Sequence, residues 1–188
     1  SARALAAPLG LSEEKLGQLE TLGICINYNG YGSSLEDLHF APADLFDLLR
    51  PHATPFDFIA KDPETFEQLE SGYRTDMAHA AGVEPTRASQ SAAVFVLPDE
   101  PWARRVSGVY SNELANSYPA RAHAVLTERA DGTYLVSVRA PLQDKRGADE
   151  LCRKFPTGGG RAAAAGINAL PAEQLEAFIT ALDATYAS

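Results

Sequence analysis

The chain has 188 residues, 45% of them hydrophobic, and a formal net charge of −9 at neutral pH. That length suits one or two domains with a substantial buried core. The acidic balance argues against a protein that coats long DNA, and no apolar run of about 18 residues is present to span a membrane.

The first part reads as helical. Ser12 suits a helix cap, with Leu16, Leu19 and Leu22 stepping along one face behind it. Ile24-Cys25-Ile26 is a candidate short strand, followed by a loop rich in Asn, Gly and Tyr from Asn27 to Ser34. Pro42 opens a helix carrying Leu45, Phe46, Leu48 and Leu49, which Pro51 stops. Asp62-Pro63 opens another, with Phe66, Leu69, Tyr73 and Met77 as its apolar face. A boundary falls around Pro85, so residues 1–85 read as a mainly helical connector and 86–188 as a separate domain. The connector carries 14 acids against 5 bases, whereas the second domain carries 11 of each. The start of the chain has neither an initiator Met nor a signal-type apolar stretch and reads as cut from something longer.

In the second domain the hydrophobic period changes. Ala92–Leu97 is an apolar run ended by Pro98, a buried strand. Pro101 opens a helix with Val106 and Val109 inward and Trp102 as a core anchor. Ala122–Thr127 and Thr133–Arg139 are two strands joined by an Asp131-Gly132 hairpin turn. Alternation places Tyr134, Val136 and Val138 on one face and Leu135, Ser137 and Arg139 on the other. A helix through Leu151 and Phe155 follows, and Pro171 opens a closing helix that buries Leu175, Phe178, Ile179, Leu182 and Tyr186. The fold class is α/β: a small mixed β-sheet flanked by helices, preceded by the helical connector.

Before the closing helix stands Gly158-Gly159-Gly160-Arg161, followed by four alanines. Successive glycines strip a loop of Cβ atoms, so its amides can converge on an anion, and the arginine fork can grip a phosphate through two parallel bonds. A helix turn starting in the alanines would aim its positive end at the same anion. The plainer reading is a glycine linker before an alanine helix. No Gly-Lys-Ser/Thr follows, which excludes a P-loop, and the glycine spacing of a dinucleotide fingerprint is absent. From Arg139 to Arg161 there are six bases and three acids, so one basic island ends at these glycines. Of its bases, Lys145, Arg146, Arg153 and Lys154 read as solvated charges.

The order strand, helix, hairpin, helix, glycine run, strand and closing helix resembles the C-terminal substrate-binding domain of DHH-family phosphoesterases. That superfamily includes single-strand exonucleases, oligoribonucleases and exopolyphosphatases. Gly159-Gly160-Arg161-Ala162-Ala163-Ala164-Ala165-Gly166 is similar to the family's Gly-Gly-His-x-x-Ala-Ala-Gly signature, with arginine in place of the histidine. Val136-Ser137-Val138-Arg139 resembles its strand with a phosphate-contacting arginine, and Asn112 falls near its substrate-lining positions. The resemblance covers residues 90–188 well, while Ile26–Asn29 and Leu35–His39 look like the family's connector. It implies a phosphate site of Asn112, Ser137, Arg139, Gly158, Gly159, Gly160 and Arg161. Arg161 would clamp electrostatically, because a guanidinium does not donate its proton at neutral pH.

The resemblance also implies two divalent metals, manganese by preference, in a catalytic half marked by Asp-His-His. This sequence has no adjacent histidine pair, and His39, His52, His79 and His123 are scattered. No cofactor or metal site is therefore assigned to it. The expected fragment binds a short oligonucleotide, a nucleotide or another phosphate ligand without cutting it, the helical segment serving as a hinge. The competing reading is a non-enzymatic nucleic-acid-binding or dimerisation module, which admits a homodimer. An acyl-CoA-binding transferase is disfavoured, since its Arg-x-x-Gly-x-Gly/Ala spacing is missing. His39, beside Glu36 and Asp37, reads as structural rather than metal-bound. Tyr28 and Tyr31 offer rings for stacking on a base, with loop packing the plainer role. Cys25 and Cys152 read as buried thiols in a reducing cytoplasm.

Overall fold

Ser12 caps helix α1 (Glu13–Tyr28), its Oγ accepting from the Lys15 amide at 3.3 Å, in a computed structural model that describes residues 10–187. The described chain divides into two units, one ending at Met77 and one starting at Ala78.

In the first unit α1 runs straight through Ile24–Ile26, so the short strand expected there is absent. Leu22, Cys25 and Tyr28 repeat every three residues on the buried side, while Ile24 is 49% exposed. Tertiary burial of that stripe overrides the strand preference of two isoleucines. Helix α2 (Pro42–Leu49) starts at its proline as expected. A short helix α3 (Pro55–Lys61) follows that composition alone did not suggest. Its start is a reciprocal cap: Thr54 Oγ1 accepts from the Asp57 amide at 3.1 Å and donates to the Asp57 carboxylate at 3.0 Å.

Helix α4 (Pro63–Ala81) begins where Asp62-Pro63 indicated, but its buried positions include Thr65, Leu69 and Asp76 rather than a purely apolar row. The Tyr28 phenol donates to Asp76 Oδ2 at 2.6 Å, and His39 Nε2 lies 3.5 Å from the same oxygen. Tyr28 is 1% exposed, so its ring is unavailable for stacking on a base. The His39 ring packs over Gly72, where an added Cβ would come within 2.6 Å of it.

The second unit is built on one six-stranded sheet in the order β1-β2-β3-β4-β6-β5. Its strands are β1 (Arg87–Ala88), β2 (Ala92–Leu97), β3 (Ala122–Glu128), β4 (Thr133–Arg139), β5 (Gly158–Arg161) and β6 (Ala164–Pro171). Strands β2 and β3 are parallel, joined through helix α5 (Pro101–Ser117), and every other neighbouring pair is antiparallel. The mixed α/β architecture read from the sequence is therefore present.

One sheet face is the main core. Val94, Ala124, Leu126, Val136, Val138 and Ile167 meet Leu151 and Cys152 of α6 (Ala148–Cys152) and Phe178, Ile179 and Leu182 of α7 (Leu175–Tyr186). Helix α5 lies on the opposite face, where Phe95 and Tyr110 pack edge to face with ring centres 5.7 Å apart. It buries Ala103, Val106, Ser107, Tyr110 and Leu114. Trp102 and Val109 are only half-buried, a correction to the expected inward row. The Trp102 indole instead donates to Glu100 at 2.6 Å near the surface.

The glycine–alanine segment differs most from expectation. It holds neither a loop of converging amides nor an alanine helix. Gly158–Arg161 is strand β5, Ala162-Ala163 is a tight turn, and Ala164 begins β6. Cross-strand pairing of this hairpin, extended by β4 on its far side, outweighs the helix preference of alanine.

Three glycines are required there by close approach. An added Cβ would come 1.8 Å from the Cys152 carbonyl oxygen at Gly158, 2.5 Å from the Ala165 Cα at Gly160, and 2.6 Å from the Val136 carbonyl at Gly166. At Gly159 it would meet nothing within 4 Å. Gly158→Ala is therefore expected to lower unfolding stability by at least about 2 to 3 kcal/mol, and Gly159→Ala to change it by less than about 0.5 kcal/mol. Urea denaturation of the two variants checks this, and equal stabilities would contradict the packing assignment.

Candidate functional site

The sheet register decides which candidate residues meet. Arg139 of β4 pairs with Ala164 of β6, which pairs with Arg161 of β5. The next row on the same face is Ser137, Gly166 and Gly159. Directly opposed residues share a face, so both arginines project from one side, two strand spacings or about 10 Å apart at Cα. The second row offers one hydroxyl and two bare glycines. The face between the arginines therefore carries only an alanine methyl and an unclothed peptide surface.

Helix α5 covers part of this same face and supplies Asn112. The Arg139 Nε donates to Asn112 Oδ1 at 2.7 Å, and Nη1 donates to Ser137 Oγ at 3.0 Å and to the Val138 carbonyl at 3.2 Å. These bonds engage Nε and Nη1 and leave Nη2 without a partner among the described residues. Burial first, and then the charge of Arg161, lower the Arg139 pKa from its ordinary value. Arg161 is exposed, and its side chain makes no hydrogen bond or ion pair among the described residues.

The other two arginines of the island behave differently. Arg146 is held by Asp144 at 2.6 Å, and Arg153 by Asp149 at 2.8 Å. The repulsion between Arg139 and Arg161 is unrelieved by any such carboxylate. Were the charges as far apart as the two Cα atoms, about 10 Å, it would amount to roughly 0.4 to 1.7 kcal/mol for effective dielectrics of 80 to 20. An anion seated between them would reverse its sign.

The glycine amides contribute less than the sequence suggested. The Gly158 amide donates to the Phe155 carbonyl at 3.1 Å. The Asn168 amide reaches the Thr157 carbonyl at 3.4 Å, which sets the bonding alternation of the hairpin. In that alternation Gly159 and Arg161 bond into the ladder, and only the Gly160 amide faces the open edge of the sheet. The groups free to meet an anion are thus the two guanidiniums and one edge amide, in place of three converging amides.

Sequence reasoning missed His123, which is the register partner of Arg139 on β3. It is fully buried, and its Nε2 accepts from Arg121 Nε at 3.2 Å. A histidine within an apolar strand carries no sign of such a role; only the pairing reveals it. Burial first, then the Arg121 charge, bring its pKa from 6.5 down to about 4. The ring is neutral in the fold, while the unfolded chain takes up a proton near 6.5. Stability from this group is complete above about pH 6.5 and is lost as pH falls toward about 4. A gap of that size is worth roughly 3 kcal/mol. Urea unfolding between about pH 7 and 4 should show a shallower loss in His123→Gln than in the native chain. Identical slopes would contradict a neutral buried ring.

Among the described residues no three His, Cys, Asp or Glu side chains gather in a way that could hold a metal ion. Both thiols are free and buried, and burial pushes Cys25 up to about 11 and Cys152 up to about 12. No described helix is long and apolar enough to cross a membrane.

Comparison with known proteins adds a family to this geometry. RecJ from Thermus thermophilus in complex with Mg2+ superposes with a TM-score of 0.61 at 19% identity, over 98% of this chain and 28% of its own. An exonuclease RecJ bound to manganese gives 0.62 at 19% identity, over 98% and 44%. The pGpG-specific phosphodiesterase PggH from Vibrio cholerae gives 0.58 at 15% identity, over 92% and 57%. These likenesses establish a shared fold, and the chain spans less than two thirds of each of those proteins. No curated protein sequence matches the chain. The model of the DHHA1 domain matches residues 89–188, more than half of the chain, and the protein belongs to that family.

Proposed function

We propose that this chain is the substrate-binding part of a cytoplasmic DHH-type phosphoesterase. Its second unit would hold a phosphate of a short oligonucleotide or nucleotide between Arg139 and Arg161. The observation that carries this reading is the register row that sets two arginines, unpaired with any acid, on one bare sheet face. Asn112 and Ser137 fix the angle of Arg139, so little freedom is lost when a ligand arrives. Arg161 adds a second full charge through an unencumbered fork.

Cleavage would come from two divalent metals, manganese by preference, held by residues that this sequence lacks. The absence of any adjacent histidine pair supports that division of labour. So do the magnesium and manganese bound by the RecJ proteins that share the fold. The pGpG specificity of PggH favours a very short nucleic acid as ligand. Two buried, unoxidised thiols suit a reducing compartment. The alternative of a dimerisation module has one observation in its favour: β5 is an edge strand, open to pairing with a second copy.

Calorimetry with a 5′-phosphorylated dinucleotide tests the clamp. Arg139→Ala and Arg161→Ala should each weaken binding about tenfold, and each should reduce the slope of log affinity against log salt by roughly 0.7. Unchanged affinity in the doubly substituted chain would remove the clamp, and a stable ligand-free dimer would then favour the module. Manganese and a labelled dinucleotide added to this chain should give no hydrolysis above background. Turnover would overturn the assignment of cleavage to another domain.

A further inference from the structure

Helix α5 has a second useful flank. Counting about 100° per residue, the stripe Tyr110, Glu113, Leu114 and Ser117 faces away from Asn112. That stripe borders an opening of about 490 Å³ within the second unit, completed by Phe95 of β2 and by Arg121 just before β3. The volume lies in the range of small-molecule sites. Phe95 and Tyr110, each 5% exposed and packed edge to face, form the floor of the opening, and Tyr118, 53% exposed beside it, supplies the accessible ring of its aromatic wall.

The charges around this opening do not satisfy one another. Arg121 lies over the Tyr118 ring, 4.3 Å from its centre, and its Nε is committed to His123. Stacking and that bond fix the plane of the guanidinium and leave the Nη1 and Nη2 edge free. No carboxylate among the described residues pairs with it, although Glu84 and Glu113 line the same opening and themselves pair with no base there. A buried histidine whose accepting nitrogen orients an arginine, while its Nδ1 stays unpartnered, is a costly arrangement for a plain surface charge.

We infer that this opening is a second ligand site, for a nucleoside monophosphate, separate from the Arg139–Arg161 face. The base would stack on the exposed Tyr118 ring of the aromatic wall, its N–H groups would donate to Glu84 or Glu113, and the phosphate would meet the free edge of Arg121. Inorganic phosphate would answer only the arginine. A zwitterionic amino acid would answer both signs of charge but leave most of the volume and the aromatic wall unused. A mononucleotide satisfies all three features. Arg121 touches His123, the register partner of Arg139, and Glu113 follows Asn112 on α5, so the two sites share a strand and a helix.

The test uses the full chain carrying Arg139→Ala and Arg161→Ala, which removes the first site. Calorimetry with guanosine and adenosine monophosphates should show one nucleotide bound per chain. Arg121→Gln should weaken it tenfold or more, and Ser117→Trp, which plugs the opening from an exposed helix position, should abolish it. Inorganic phosphate and free phenylalanine should bind at least tenfold more weakly than the nucleotides. Amide NMR shifts at Leu114, Tyr118 and Arg121 on adding nucleotide give a readout that needs no further substitution. No binding at millimolar nucleotide would overturn the inference. So would equal affinity in the Arg121→Gln and Ser117→Trp chains, a preference for the amino acid, or amide shifts confined to residues outside the opening.

Discussion

Two fixed positive charges on the same side of a sheet, with nothing but an alanine and two glycines between them, constrain the whole second unit. The fold brings Arg139 and Arg161 together from positions 22 apart in sequence only because β6 is inserted between β4 and β5. The hairpin that carries Arg161 is therefore part of the site as much as the arginine itself. Without β5 in register, Arg161 would be one more solvated surface charge, as Lys145 and Lys154 are. With it, the two like charges stand on one face of the sheet with no carboxylate between them.

The glycines divide their work between the two sides of that constraint. Gly158, Gly160 and Gly166 are small because a carbonyl or a neighbouring backbone lies where their side chains would be. Gly159 has open space in front of it, so packing does not require its smallness. Asn112 shows the same economy from the helical layer: α5 buries its apolar stripe on the sheet and, at its edge, turns one amide oxygen toward Arg139. Support for the site thus comes from rigid elements, which preserve its geometry in the absence of ligand.

Much of this is legible in the order of the residues. Strict alternation from Tyr134 to Val138 and the Asp131-Gly132 turn locate β4 and its exposed face, and so the company of Ser137 and Arg139. The strand Ala92–Leu97 is equally plain, being apolar and ended by a proline; the closing helix is read from its apolar stripe, but Pro171 does not open it, since that residue ends β6 and the helix starts at Leu175. The glycine–alanine segment is not, since alanine favours helix locally and only its pairing with β4 makes it a strand. The same limit hides the helix through Ile24–Ile26, where burial of Cys25 and Tyr28 outweighs β-branching. Asp76 escapes an apolar-face reading because such a reading ignores a carboxylate whose partner, Tyr28, lies 48 residues away. His123 escapes it for the same reason: its significance lies in which residue it opposes.

The proposed clamp requires one anion to touch both arginines at once. Selective 15N NMR of the arginine Nε–Hε groups during titration with a 5′-phosphorylated dinucleotide reports this directly. The Arg139 and Arg161 resonances should move together, with one dissociation constant, while those of Arg146 and Arg153 stay in place. Movement of Arg161 alone, or of neither, at saturating ligand would contradict it.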